Sequence, residues 1–255
     1  MNPFSKGGVA MTATSFLWGF LMVAPGSAAA GQAPFEVDRI GTSAGELAIS
    51  FIGHGTLMLA FDGKIIHVDP YGKLADYGAL PKADLVLITH EHGDHLDADA
   101  LGKGRKADTV VVANAAAGAQ VDGAVVMKNG DVQTLAGVRI EAVPAYNIVH
   151  HRDNGQPFHP KGNGNGYVLT VGDKRVYIAG DTENIPEMKN LKAIDVAFLP
   201  MNLPYTMTPE MVADAAGMFQ PTVLYPYHYG DTDPAALTRL LESDKGIEVR
   251  IRQMR

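Results

Sequence analysis

The chain has 255 residues, 46% hydrophobic and 19% charged, enough apolar material for one sizeable core and too much for a disordered or collagen-like chain. Its 21 Lys and Arg against 28 Asp and Glu give a net charge of −7 with neutral His, a balance that argues against a surface built for nucleic-acid phosphates. Cysteine is absent, which excludes disulfides, thiolate nucleophiles and Cys-ligated zinc or iron–sulfur clusters, so any metal must rest on imidazole and carboxylate.

At the N-terminus one charge, Lys6, precedes an apolar run over residues 15–24, then Pro25-Gly26 and the small residues Ser27, Ala28, Ala29 and Ala30. That is the order of a secretory signal, and the apolar run is short of the roughly 20 residues that span hydrocarbon. The expectation is a signal over residues 1–30, cleaved near Ala30, leaving a periplasmic or secreted protein without a stable membrane span. Residues 31–255 read as one domain, with no linker and no helical repeat.

Short apolar runs at 47–52, 56–61 and 64–68 are punctuated by Gly53 and Asp62-Gly63; Asp-Gly between apolar runs is a hairpin signal, so these are consecutive antiparallel strands. Residues 84–89 read as a buried strand ending at a cluster of His and acid, followed by a short polar helix and a strand at 109–113. The second half repeats the grammar: strands at 138–143, 166–171 and 175–179, with Gly172-Asp173 as a turn, then a strand at 195–199. A helix at 209–219, a strand at 222–226, a helix at 234–242 and a strand at 248–251 complete the chain, with Thr208-Pro209 and Asp233-Pro234 as helix starts. Strand runs followed by helices, twice over, predict an α+β fold of two sheets packed face to face with helices outside.

The chemistry concentrates in Thr89-His90-Glu91-His92-Gly93-Asp94-His95, immediately after an apolar strand. In extended backbone, positions i and i+2 point the same way, so His90 and His92 converge on one ion, while Asp94 and His95 reach a second as the chain turns. A solvated polar loop is the bland alternative. H-x-H-x-D-H in this setting resembles the signature of the metallo-β-lactamase fold superfamily. Ile52-Gly53-His54-Gly55-Thr56 with Ile66-His67-Val68-Asp69-Pro70 resembles the opening of its lactonase-like hydrolase branch. The segment from Tyr177 through Gly180-Asp181-Thr182 is similar to that family's Gly-Asp-Thr motif, and Tyr227-His228-Tyr229-Gly230 is similar to the stretch carrying its last histidine. The likeness runs from about Glu46 to the end of the chain.

The resemblance implies a four-layer αββα sandwich and a site for two divalent metal ions. His90, His92 and a third histidine would hold the first, Asp94, His95 and His228 the second, and Asp181 would bridge them. Zinc suits such a set, and manganese or iron fits the same ligand types. Asp69 is either the carboxylate that orients a ligand imidazole or a strand-ending Asp-Pro turn. Asp181 alone reads equally as a helix cap, and His228 alone as a structural histidine.

The family pattern departs at Asn147, where the related branch has a histidine. The replacement comes from His150, His151 or His159. His159 is favoured, because Pro160 holds it extended and the run Gly162-Asn163-Gly164-Asn165-Gly166 allows close backbone approach to a site. His150 and His151 read as exposed, and His67 as an ordinary strand residue. His54 is either structural or positioned to bind substrate or orient water.

The expected chemistry is metal-assisted hydrolysis of a small-molecule ester, lactone or related substrate, with Asp94 holding the attacking water and His54 beside it. A phosphodiesterase is the alternative within enzymes; a non-catalytic metal-binding or ligand-sensing protein is the alternative outside them. The sequence is silent on oligomeric state.

Overall fold

Asp62-Gly63 closes the expected hairpin, and the strands on either side set the plan of the first sheet. The computed structural model describes Met1 and residues 35–255, so the expected signal at 1–30 lies, Met1 apart, outside the described residues. The first sheet comprises β1 (Glu36–Thr42), β2 (Gly45–Gly53), β3 (Thr56–Phe61), β4 (Lys64–Val68), β5 (Ala83–Leu87), β6 (Arg105–Ala113) and β7 (Val125–Val126), in sequence order. The first four are antiparallel neighbours; β4 through β7 run parallel.

The second sheet repeats this arrangement. It holds β8 (Val132–Leu135), β9 (Val138–Ala145), β10 (Gly164–Val171) and β11 (Lys174–Ile178) as antiparallel neighbours. The parallel strands β12 (Val196–Pro200), β13 (Val223–Tyr227) and β14 (Glu248–Val249) follow. Parallel neighbours need crossovers. Helices α1 (Ala98–Gly104) and α2 (Ala115–Gly118) serve the first sheet, α3 (Pro209–Phe219) and α4 (Ala235–Leu240) the second, with a 3-10 helix (Pro186–Asn190) leading into β12. Thr208 caps α3 by accepting from Met211 N, as expected. At α4 the cap position falls on Pro234, and Asp233 Oδ1 accepts from Ala235 N at 2.9 Å instead.

Alternation sorts the β5 side chains: Leu85 and Leu87 enter the core shared with Ile49 and Phe51, while Val86, with Ile88 just past the strand's end, faces outward against Leu101 and Ala117. Phe51 reaches across to Tyr225, ring centroids 5.0 Å apart, and to Phe198 at 6.3 Å, tying the sheets together. On the far face Tyr177 meets Phe219 of α3 edge-on at 5.6 Å. Each such fully buried side chain is worth about 1.5–3 kcal/mol. This is the α+β sandwich of two face-to-face sheets that the strand and helix order predicted. Among the described residues, no helix is long and apolar enough to cross a membrane.

β10 begins at Gly164, two residues ahead of the expected strand at 166–171, and Gly164 lines a small cavity with His90, His92 and His159. A Cβ on Gly166 would come within 2.8 Å of Ala179 O and 3.1 Å of Ile178 O, so the glycine serves close approach to the backbone that leads to Asp181.

Candidate metal centre

The candidate ligands leave the carboxyl ends of strands in both sheets. Asp69 follows β4, Thr89 to His95 follow β5, Asp181 follows β11, His228 follows β13, and His54 follows β2. His90 Nε2 and His92 Nδ1 are 3.0 Å apart, and the His159 ring centroid is 5.1 Å from each of their rings. Ligand atoms of His90, His92 and His159 all fall within 4.8 Å of one another, as do those of His90, His95 and Asp181 and those of His54, Asp94 and His228.

Asp181 stands between these groups. Its Oδ2 is 3.2 Å from His159 Nε2, 3.6 Å from His228 Nε2 and 3.9 Å from His90 Nε2, and its Oδ1 is 3.6 Å from His95 Nε2. Asp94 Oδ2 lies 3.7 Å from both His95 Nε2 and His228 Nε2 and 3.0 Å from His54 Nε2. All seven residues expected as ligands therefore meet, with His54 stacked on His228 at 3.6 Å between centroids. No helix begins at Asp181; the strand β11 and the turn at Gly180 deliver it. Gly180 has φ +66°, and a Cβ there would sit 2.9 Å from Asn165 O. Of the other loop histidines, His151 is exposed, and His150 turns away to bond Glu183 Oε1 at 2.7 Å.

An outer layer fixes the imidazoles. Asp69 Oδ2 faces His95 Nδ1 at 2.8 Å and accepts from Thr89 Oγ1 at 2.6 Å, while its Oδ1 accepts from Thr89 N at 2.8 Å. Asp69 both ends β4, with φ 44°, and bonds the His95 imidazole, the place from which a carboxylate would orient that ring toward an ion. Asn147 Oδ1 accepts from His159 N at 2.9 Å and faces His159 Nδ1 at 2.7 Å. Asn147, where the family pattern departs, thus orients His159, the favoured candidate for the third histidine.

Glu183, fully buried, accepts from the backbone of Ile148, Val149 and His150 at 2.6–2.7 Å and from Asn147 Nδ2 at 3.0 Å. Sequence reasoning passed over these roles for Asn147 and Glu183. The available signal was an amide at the expected ligand position and an acid two residues beyond Asp181. His54, Asp69 and His228 have φ of 51°, 44° and 46°, a left-handed conformation that costs non-glycine residues about 1–3 kcal/mol and marks functional sites. Backbone bonds hold them: His228 N donates to His54 O and Asp69 N to Leu87 O, both at 2.9 Å.

The electrostatics call for positive charge. Burial opposes ionisation of Asp181, yet the imidazoles of His228, His95 and His159 hold its carboxyl well below the ordinary range. Burial also opposes charge on Asp94, outweighed by His228, His54 and His95. Burial works against a charged His95, but Asp181, Asp69 and Asp94 push its pKa up to about 9. Among the described residues, His95 Nε2, His228 Nε2 and Asp181 Oδ1 are buried without a hydrogen-bond partner. Orphaned buried acceptors and imidazole nitrogens converging on shared carboxylates are costly unless a cation completes them, so the donor set fits hard or borderline divalent metal.

A cleft of about 470 Å³ opens over these groups, walled by Arg152, Phe158, Asn202 and Tyr205. A second cavity of about 310 Å³, between Glu141, Arg175 and Met188, contains none of the candidate ligands.

The family profile described as a beta-lactamase superfamily domain matches residues 48–228. A UPF0173 metal-dependent hydrolase from Pelotomaculum thermopropionicum is 31% identical over 80% of this chain and 96% of its own length, and one from Methanopyrus kandleri is 32% identical over 80% and 95%. Among solved structures, that of a protein described as a metal-dependent hydrolase from Parabacteroides distasonis shares 53% identity, with TM-score 0.83, over 87% of this chain and all of that one. A metallo hydrolase from Ignicoccus hospitalis superposes with TM-score 0.67 at 28% identity, covering 81% of this chain and 95% of its own. With the sandwich, the strand-end ligand cluster and these relatives in agreement, the chain belongs to the UPF0173 metal-dependent hydrolases of the metallo-β-lactamase superfamily.

Proposed function

We propose that the protein hydrolyses a small ester or lactone at a centre of two divalent cations, zinc being the first candidate. His90, His92 and His159 would hold one cation, Asp94, His95 and His228 the other, and Asp181 both. The carrying observation is the set of buried, unpartnered atoms His95 Nε2, His228 Nε2 and Asp181 Oδ1, which converge with the remaining imidazoles. When bound, such cations lower the pKa of water and polarise an electrophilic oxygen.

The chain's own residues do the rest. Asp94 is 37% exposed at its side chain, the most open of the carboxylates, and faces the cleft. It is the acceptor for the proton of the attacking water. His54 Nε2, 3.0 Å from Asp94 Oδ2, holds that carboxylate in place and shares the proton once it has moved. Asp69 and Asn147 keep the Nδ1 protons of His95 and His159 occupied, leaving each Nε2 free as a donor of electrons. Phe158 and Tyr205, in edge-on contact, give one wall of the cleft an aromatic surface.

Metal analysis combined with lactone, ester, thioester and bis(p-nitrophenyl) phosphate substrates tests the reading. Metal-dependent cleavage of lactone or ester is expected; cleavage of the phosphodiester alone would replace it, and bound metal without any turnover would favour a sensing role. We further infer export with removal of residues 1–30, supported by the order of Lys6, the apolar run and the small residues. An intact mass retaining these residues on exported protein would refute it.

A further inference from the structure

Among the described residues, Arg152 is the one lysine or arginine lining the cleft. Its Nη2 donates to Phe158 O at 3.3 Å, and its guanidinium stacks on the Phe158 ring, 5.1 Å from the centroid. Phe158 in turn meets Tyr205 edge-on at 5.0 Å. Neither contact neutralises the charge, and an arginine fork has five N–H donors, so on this cleft-lining, exposed side chain most of them have no protein partner among the described residues.

The segment carrying Arg152 is pinned rather than loose. Arg152 N donates to Gln156 O at 2.7 Å, Gly155 N donates to Arg152 O at 2.8 Å, and His151 pairs with Pro157 across the turn. Before the turn, Glu183 gathers the amides of Ile148, Val149 and His150. After it, His159 is tied to Asn147. A stacked guanidinium on an anchored turn is pre-organised for a planar or tetrahedral oxyanion, which it binds through paired N–H bonds.

We propose that the substrate carries a carboxylate or phosphate group at a distance from the bond that is cut, and that Arg152 reads it. The inference rests on the hydrolase reading and adds the substrate class: a small ester or lactone with an apolar body against Phe158 and Tyr205 and an anionic end on Arg152.

The test is equilibrium binding to the metal-loaded full chain, read by calorimetry with probes that are not hydrolysed. The dicarboxylates succinate through adipate are compared with monocarboxylates of matching length, butyrate through hexanoate. At least one dicarboxylate is expected to bind tenfold or more tightly than its match. Arg152→Gln is expected to bring the pair within about twofold, with Arg152→Lys between, while metal content and melting temperature stay at wild-type values. A parallel titration with 3-phosphonopropionate against succinate identifies the preferred oxyanion, and a preference for either that disappears in Arg152→Gln supports the proposal. No preference for any dicarboxylate or for 3-phosphonopropionate over the matching monocarboxylates, or a preference that survives Arg152→Gln, overturns it. Because binding is read without turnover, failure of the hydrolase reading shows separately, as wild-type protein that discriminates between the probes but cleaves no substrate.

Discussion

Replacing Asp69 with Asn changes one atom and tests how the centre is held. Asp69 is fully buried and spends both oxygens: Oδ1 on Thr89 N, Oδ2 on Thr89 Oγ1 and His95 Nδ1, at 2.6–2.8 Å. With the amide nitrogen in the Oδ2 place, His95 Nδ1 must accept, which moves the ring proton to Nε2, the atom that faces Asp94 and Asp181. That tautomer cannot ligate. Flipping the amide restores an acceptor to His95 but sets the amide nitrogen against the Thr89 N–H, two donors in a buried site. Either way a bond is lost, costing the metal-free protein about 1–3 kcal/mol. Loss of such an orienting carboxylate typically lowers metal affinity 10–100-fold, or about 1.4–2.7 kcal/mol. Competition against a chelator of known affinity measures this directly, with Thr89→Val as a milder companion that removes only the hydroxyl. Wild-type affinity for every bound equivalent in Asp69→Asn would refute the assignment of Asp69 to His95.

Three further outcomes follow from other parts of the molecule. Glu183→Gln places an amide nitrogen among the donors of Asn147, Ile148, Val149 and His150, so unfolding by urea should show a loss of roughly 2–3 kcal/mol, accompanied by weaker metal retention at the His159 side. Burial holds the His67 pKa down at about 4 against an ordinary 6.5; its stabilising contribution is therefore complete above pH 6.5 and is lost as pH falls toward 4, by about 3 kcal/mol in all. In metal-free protein, His67→Leu should flatten the urea-midpoint profile across that window, and an unchanged acid slope would dismiss His67 as its source. Gly166→Ala forces a methyl to 2.8 Å from Ala179 O, an overpacking expected to cost about 1–3 kcal/mol, read as a lowered melting temperature.

The legible parts of the fold were those whose side chains alternate into the core. β3 and β4 carry apolar residues at the spacing their burial requires, and their ends coincide with the expected ones. β1 was missed because Glu36–Thr42 has no buried residue: it is an edge strand held by backbone pairing to β2, and its Asp38 and Arg39 spoil any apolar pattern. β8 shows no buried residue either, and β7 has only two residues. In the site, His90 through His95 were legible because their partners are local. The duties of Asn147 and Glu183 were not, since Asn147 acts on a residue twelve positions away and Glu183 gathers amides more than thirty positions away, contacts that exist only once β9 and β11 have been brought to the same edge.

The two halves of the centre are held by different means. His90, His95, Asp181 and His228 leave strand ends directly, so the sheets themselves fix them, and the left-handed turns at Asp69 and His228 are sustained by backbone bonds across the same edge. His159 instead arrives on the 147–160 loop, whose shape depends on Glu183 and Asn147. That loop also presents Arg152 and Phe158 to the cleft, so one segment supplies both a candidate ligand and the wall that meets substrate. Disturbing its anchor should therefore change metal affinity and anion discrimination together, whereas disturbing Asp69, which touches only the sheet-borne half, should weaken metal and leave the dicarboxylate preference of the reloaded protein intact. Measuring both quantities in Glu183→Gln and Asp69→Asn separates the two: equal loss of discrimination in both variants would mean that the loop is not an independent substrate-reading unit.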